Sequence, residues 1–469
     1  MFLGTVIGIT GAFLRYFLFG LLALSPLGYA NYSYHAAEQQ LLAHSPALLA
    51  SQALQEAGNA NAKALAHLQR PTVAINGYGL IYEQSAEIPV DRLNGVIAQK
   101  TNELNGTLDN FGLAPVTPIN LAPRSVHSQG EHFGGNISLT MPLYTGGLID
   151  SVQAIAQINA DIQALNASDT YSSVQLALIK QYFDVQLKHA LLINEKTRFD
   201  AIDHHTQNAI KLEQQGFISK GQRLQFEVAR NQALRLYQLA SDNHKSSLFA
   251  LRVLLQKPDI TNLSTPLFIN PNQQLAWQSL LAQHANSPFM QKLQYSTQLA
   301  EQKVKLAASG TKPKVFAMGQ YSPRDNDWFV GVMARYELLP KIDYNQKIYA
   351  SEQEQIASLL SVQQITDDTH TLMHRALLEF DGSKTTHRLL THNLSAAKEN
   401  LRIQTLAFQE GVGTVSGVID AEAAIAQTQS EQAINAYRHI MALATLLHAT
   451  GTLNDFGQYA SLPDSIRIY

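Results

Sequence analysis

No cysteine occurs in the 469 residues. That excludes disulfides, thiolate metal sites and a lipidated N-terminal cysteine, and it fits an oxidising compartment. Excess charge is also lacking: 34 basic against 37 acidic residues leave a net charge of −3, so nothing electrostatic points to nucleic acid as a partner. Proline is missing from two very long tracts, Gly146 to Gln256 and Lys341 to Leu462. Beyond residue 30 no uncharged apolar run reaches the ~18 residues of a membrane-spanning helix. There is no Gly-rich phosphate loop, no serine nucleophile elbow and no recognisable carboxylate pair. Neither an enzyme nor a cofactor is expected.

At the N-terminus, Phe2 to Leu14 is apolar, Arg15 interrupts, and Tyr16 to Leu24 is apolar again. Ser25-Pro26 then breaks the run, and Gly28-Tyr29-Ala30 places small residues where a signal peptidase reads. Residues 1–30 read as a signal peptide cleaved after Ala30.

Punctuation recurs along the chain. Ser45-Pro46 and Pro71 reappear as Ser287-Pro288 and Pro313 at one shared offset; Leu143, Gly216, Ser219 and Glu227 reappear as Leu338, Gly411, Thr414 and Glu422 at a second, shorter one. The pattern predicts one architectural unit used twice, with a long insertion in the first copy. The expected organisation is a first repeat over 31–257, a connector over 258–272, a second repeat over 273–450 and a short segment over 451–469.

Ile155, Ile158, Ile162 and Leu165 keep a three-to-four spacing, as do Leu176, Ile179, Phe183 and Leu187. This is a narrow helical stripe of coiled-coil type. A helix from Leu148 to Gln215 would be roughly 100 Å long, which no ordinary globular core requires. Gly382 interrupts the later stretch, either as a kink or as a tolerated surface glycine. Helices interrupted at Ser45-Pro46 and Ser287-Pro288 are expected over Tyr34 to Gln69 and Leu275 to Ser309.

Other segments alternate. Phe133, Gly135, Ile137, Leu139, Met141 and Leu143 share one face of a strand; Trp328, Val330, Val332, Ala334, Tyr336 and Leu338 share a face of another. Partner strands begin at Pro71 and Pro313. The expected strands cover about 71–82, 131–143, 313–322 and 328–338, with 83–130 as an exposed loop or partial plug. Runs of this length suit tilted strands crossing a bilayer, and Trp328 and Tyr336 stand where interface aromatics would. A soluble hairpin packed on helices is the alternative for either pair alone. Four strands cannot close a membrane barrel, so copies must associate; three would supply twelve strands.

These residues resemble the TolC family of outer-membrane efflux proteins. The resemblance rests on His44-Ser45-Pro46, Arg70-Pro71, Met141-Pro142-Leu143-Tyr144-Thr145-Gly146-Gly147, the turns Gln215-Gly216-Phe217-Ile218-Ser219 and Gly411-Val412-Gly413-Thr414, and Ala449 to Asn454. It covers about residues 34 to 455. It implies a mainly α fold with membrane β: a trimeric twelve-stranded β-barrel, four strands per chain, continued by a twelve-helix periplasmic α-barrel. It further implies a passive exit duct in the outer membrane of a Gram-negative bacterium, docked to a periplasmic adaptor and an inner-membrane pump of the RND, ABC or major-facilitator class. Drug efflux and type I protein secretion both remain open. The alternative is a periplasmic coiled-coil structural or adaptor protein without a pore.

By the same resemblance the hairpin tips, Gly216, Ser219, Gly411 and Thr414, contact the adaptor. Ser219 and Thr414 also read as helix N-caps. The periplasmic aperture maps to Phe408, Gly413, Gly417, Asp420, Gly221 and Gln222. Asp420 matches the second of two family acidic residues, and Gly417 stands where the first would be; an ordinary solvated face is the other reading of Asp420. The family's locking arginine is replaced by Gly413 and its acidic partner by Gln222, so the ion-pair lock is absent. Gly413→Arg with Gln222→Asp would restore it if the correspondence holds. Arg335 and Glu337 are expected in the barrel lumen. His370 and His374 have a helical i, i+4 spacing near Asp367, but no metal site is assigned to them.

Overall fold

The computed structural model describes residues 32–110 and 112–468. The expected signal peptide, residues 1–30, lies outside the described residues. Two compact units are present. The first comprises the chain up to Gln52, Ala167–Gln291 and the chain from Thr366 onward; the second comprises Ala53–Asn166 and Lys292–Ile365.

The elements follow the order α1 (Tyr34–His44), α2 (Pro46–Leu65), β1 (Thr72–Ile88), α3 (Asp91–Asp109), β2 (Arg124–Tyr144), α4 (Leu148–Gln214), α5 (Lys220–Leu255), β3 (Leu267–Ile269), α6 (Trp277–Ala285), α7 (Pro288–Ala308), β4 (Lys314–Ser322), β5 (Asp327–Arg335), α8 (Tyr344–Gln409), α9 (Val415–Thr450), α10 (Phe456–Ala460) and β6 (Ile466–Ile468). Pro46 and Pro288 each open a helix, where a missing N–H costs nothing. The proline-free tracts become α4 and α8, of 67 and 66 residues, each followed by a 36-residue helix. α8 passes through Gly382 unbroken, and Gly382 is exposed with open space beside it, so it is a surface glycine.

The second unit holds a four-stranded antiparallel sheet in the order β1-β2-β4-β5. Its register aligns Val73, Leu139, Gly319 and Val330 across all four strands, then Ile75, Ile137, Tyr321 and Trp328. These apolar rows face solvent: Ile75 is 84% exposed, Val330 77% and Trp328 74%. The next position along carries polar groups on β1 and β2, where Asn76 Nδ2 donates to Asn136 Oδ1 at 2.8 Å and to Ser138 Oγ at 3.1 Å. A soluble sheet hides its apolar face; this one presents it. Pro142 cannot donate to a ladder, and the β2–β4 register shifts between Pro142 and Tyr144.

Two expectations need correction here. The segment 83–130 is not simply a loop: β1 continues to Ile88, β2 already begins at Arg124, and α3 lies between them. The polar residues Glu83 to Ser85 and His127 to Gln129 hid the strand extension, because they carry no apolar alternation. β5 ends at Arg335, so Tyr336 and Glu337 fall just beyond it.

The core of the first unit holds an aromatic cluster among aliphatic side chains. Tyr34, Tyr182, Phe183, Phe268 and Phe456 are almost fully buried and meet mostly edge to face, with ring centroids 5.2–6.1 Å apart. Such geometry suits the ring quadrupole. The Tyr182 hydroxyl donates to the Tyr32 carbonyl at 2.8 Å and accepts from the Thr265 N–H at 3.1 Å. The connector is thereby pinned onto α4. It contributes β3, which pairs with β6 from the C-terminal segment. α9 ends at Gly451 in the left-handed region, where a Cβ would meet Pro288 Cδ at 2.8 Å.

His439 on α9 is completely buried. The Asn270 N–H donates to its Nε2 at 3.1 Å, so the ring proton sits on Nδ1, 2.7 Å from Ser383 Oγ. The Ser383 hydroxyl donates in turn to the Phe380 carbonyl at 2.7 Å. Burial, aided by the nearby Lys384 ammonium, pushes the His439 pKa down from 6.5 to about 3. Between these values the unfolded chain takes up a proton that the folded chain refuses. Stability from this group is therefore complete above pH 6.5 and falls on acidification, by up to ~1.4 kcal/mol per pH unit. Thermal unfolding followed by circular dichroism should show the midpoint dropping from pH 7 to pH 5. His439→Gln should be less stable at pH 7 yet show a shallower drop; an equal slope would refute the assignment. Phe183→Ala should cost about 3–5 kcal/mol, read from the same transition.

Candidate functional site

The two hairpin tips are built alike. α4 closes at Gly216, with φ +75°, where the Phe217 N–H donates to the Leu212 carbonyl at 2.9 Å. α8 closes at Gly411, with φ +76°, where the Val412 N–H donates to the Ala407 carbonyl at 3.0 Å. Both glycines supply the left-handed residue that ends a helix cheaply.

Ser219 caps α5. Its Oγ accepts from the Gln222 N–H at 3.3 Å, while the Ser219 N–H donates to Gln222 Oε1 at 2.8 Å, forming a capping box. Thr414 caps α9 by accepting from the Gly417 N–H at 3.1 Å. Between closing glycine and cap each tip exposes one apolar side chain, Phe217 at 74% and Val412 at 83%.

The six residues assigned to the aperture all fall at these tips. Gly221 and Gln222 occupy the first turn of α5, Phe408 the last turn of α8, and Gly413 the second tip turn. Gly417 and Asp420 lie in the first two turns of α9; Asp420 is exposed and makes no hydrogen bond or ion pair among the described residues. Gln222 is engaged by its own cap and makes no bond to Gly413. A Cβ on Gly413 would stand 2.6 Å from the Phe408 backbone N and 2.8 Å from the Ala407 carbonyl carbon. The Gly413→Arg, Gln222→Asp lock therefore does not fit this backbone.

Other residues join the two hairpins. Phe226 on α5 is 1% exposed and meets Phe408 edge to face at 5.6 Å. Ala209, Val415, Ile218 and Ile419 complete this small core. His205 on α4 stacks on Phe226, and its Nε2 lies 3.2 Å from Glu422 Oε1 on α9. Arg223 is held between Glu213 and Glu227, and Arg230 pairs with Asp203. His205 and Glu422 stand 217 positions apart, so no local pattern could pair them; the only sequence signal was that Glu422 repeats Glu227.

Arg335 sits at the end of β5. Its Nη2 contacts Glu337 Oε1 at 2.8 Å, and both side chains are exposed. The pair is formed within one segment. His370 lies against His284, and His374 against Trp277. Among the described residues no group of three metal-ligating side chains is placed to hold an ion. No helix among them is long and apolar enough to cross a membrane.

No family model matches the sequence, and no curated protein matches it. Solved structures do. The chain is similar to the CmeC outer membrane channel of Campylobacter jejuni, with TM-score 0.72, 12% identity and 94% of each chain covered. It is similar to the outer membrane protein VceC of Vibrio cholerae, with TM-score 0.72, 11% identity, and 89% of this chain and 96% of that one covered. It is also similar to the MtrE outer membrane channel of Neisseria gonorrhoeae, with TM-score 0.69, 15% identity, and 90% and 89% covered. The resemblance read from the motifs is thus matched by the fold over nearly the whole chain.

Gly413→Ala should cost about 1–3 kcal/mol by overpacking against backbone and raise hydrogen exchange across residues 405–420. Gly221→Ala, whose Cβ would meet only Ser219 Oγ at 3.7 Å, should leave exchange at its own tip unchanged. Equal effects would contradict the geometry.

Proposed function

We propose that this chain is one subunit of a homotrimeric outer-membrane channel, the passive exit duct of a tripartite export system. The observation that carries the reading is the sheet, whose apolar rows face outward while Asn76, Asn136 and Ser138 join by hydrogen bonds on the other side. Outward apolar and inward polar is the arrangement of a barrel wall in lipid. The sheet also ends in two open strands, β1 and β5. Hydrocarbon does not tolerate unpaired strand edges, and three copies of four strands give a closed wall of twelve. The structural relatives are themselves outer membrane channels, which supports the reading. So does the recurrence of element order, with a long helix and a 36-residue helix after each strand pair. A coiled-coil protein without a pore leaves the apolar face uncovered, and no observation favours it.

In this reading the helical hairpins project into the periplasm. Their tips meet an adaptor through Phe217 and Val412, and an inner-membrane pump supplies the energy. The chain has no catalytic role and needs no cofactor. Gly417 at the family's first acidic position leaves Asp420 as the charged residue of the aperture. The cluster of Phe226, Phe408 and the His205–Glu422 pair takes the place of the missing ion-pair lock.

Purified protein in planar bilayers should conduct as a trimer and fractionate with the outer membrane; a soluble, non-conducting protein refutes the proposal. Because the chain lacks cysteine, a single cysteine at Phe217 or Val412 can carry a photo-crosslinker in intact cells without removing the caps at Ser219 and Thr414. Capture of an adaptor with its pump is expected, and the pump class distinguishes drug efflux from protein secretion. Replacing His205 with Ala should raise single-channel conductance by loosening the contact between hairpins; unchanged conductance would remove that pair from the closing contacts.

A further inference from the structure

α4 and α5 run antiparallel as one hairpin and meet along a seam of facing side chains. Asp184 faces Ser247, His189 faces His244, Phe199 faces Tyr237 and Asp203 faces Arg230. Three of these levels have an evident interaction. The Ser247 hydroxyl donates to Asp184 Oδ2 at 2.6 Å, Phe199 and Tyr237 stack with centroids 6.1 Å apart, and Arg230 pairs with Asp203. The histidine level differs. The two rings stand 5.3 Å apart, centroid to centroid, at 45°. Neither makes a hydrogen bond or ion pair among the described residues.

Imidazole is the commonest protein ligand of metal ions. With Zn–N bonds of about 2.0–2.1 Å each ring centroid lies about 3.2 Å from the ion, so two imidazoles on one tetrahedral ion have centroids about 5.2 Å apart, against about 6.4 Å for a linear pair. The observed spacing is the tetrahedral one. Partial burial between the helices holds both imidazoles below the usual histidine value, and for His244 the neighbouring His189 adds to the effect. Both are therefore neutral at pH 7, the form that a metal ion binds. The lysines beside them are matched: Lys188 lies 4.0 Å from Asp184 and Lys245 3.3 Å from Asp242. Lys188 and Asn243, the chain neighbours of the two histidines, line a cavity of about 250 Å³. It leaves room for water ligands.

We propose that His189 and His244 together bind a divalent transition-metal ion of the zinc class, as a staple between α4 and α5. Two imidazoles and two waters complete the tetrahedron, so no third protein ligand is required. Imidazole selects zinc and its neighbours over magnesium and calcium, which take oxygen ligands. The ion ties the seam at the level where the side chains themselves form no bond. Both ligands lie in one hairpin, so the inference stands apart from the channel reading.

The test titrates zinc chloride into the full-length chain at pH 7 by calorimetry, with the protein purified without a histidine tag and stripped of metal. His189→Gln, His244→Gln and the double variant are titrated beside it, and circular dichroism checks their folding. The chain has 16 histidines, so the site is read as the difference between wild type and variants. Each single variant should weaken zinc binding by about tenfold or more, and the double variant should add little, because one site is lost once. In the wild type, zinc should slow hydrogen exchange in the helix turns around His189 and His244, and magnesium should not; this second measurement decides the matter where a variant does not fold. Absence of zinc binding by the wild type, equal affinity in the variants, or slowed exchange only elsewhere in the chain overturns the inference.

Discussion

Backbone hydrogen bonds at the edges of one small sheet govern what this protein can be. β1 and β5 each leave a row of N–H and C=O groups unpaired, and the rows between them turn Ile75, Val330 and Trp328 outward. In water such a surface aggregates; in lipid the open edges are untenable. The closed wall of several copies proposed above, with hydrocarbon outside, answers both problems. The proposed trimer is that solution, and the polar contacts among Asn76, Asn136 and Ser138 then face its interior.

The first unit solves a different problem. Long helices with narrow apolar stripes do not make a core by themselves, and here the packing is concentrated where the connector and C-terminal segment meet α4 and α9. The aromatic cluster around Phe183 and the tyrosine hydroxyl of residue 182 fasten these segments together. His439 is held neutral by the same close packing, in a chain of bonds running from Asn270 to Phe380.

At the tips the chain departs from the family it resembles, and the departure has a steric reason. Gly413 has backbone atoms where a Cβ would go, and Gln222 is committed to the Ser219 cap. An arginine–aspartate lock is not merely missing; this turn has no place for it. The contacts joining the hairpins are instead an aromatic pair and a histidine–carboxylate pair one level deeper. They lie away from the turn itself, which leaves Phe217 and Val412 free as apolar tips.

The amino-acid sequence by itself determined what depends on local chemistry. Absence of proline fixed the two long helices, prolines 46 and 288 set the starts of α2 and α7, and glycines 216 and 411 placed the turns. Strand alternation was readable around Ile137 and Val330 because neighbouring residues differ sharply in polarity. It failed for Glu83 to Ser85 and His127 to Gln129, whose strand character comes from pairing with each other. α3 was hidden for a related reason: its asparagines look like loop residues until Asn94 and Asn105 are seen to clamp a returning chain. Only the tertiary structure could join His205 to Glu422, Phe226 to Phe408 and Asn270 to His439. Those contacts depend on distances between segments remote in sequence, whereas helix turns and caps are decided within a few residues of themselves.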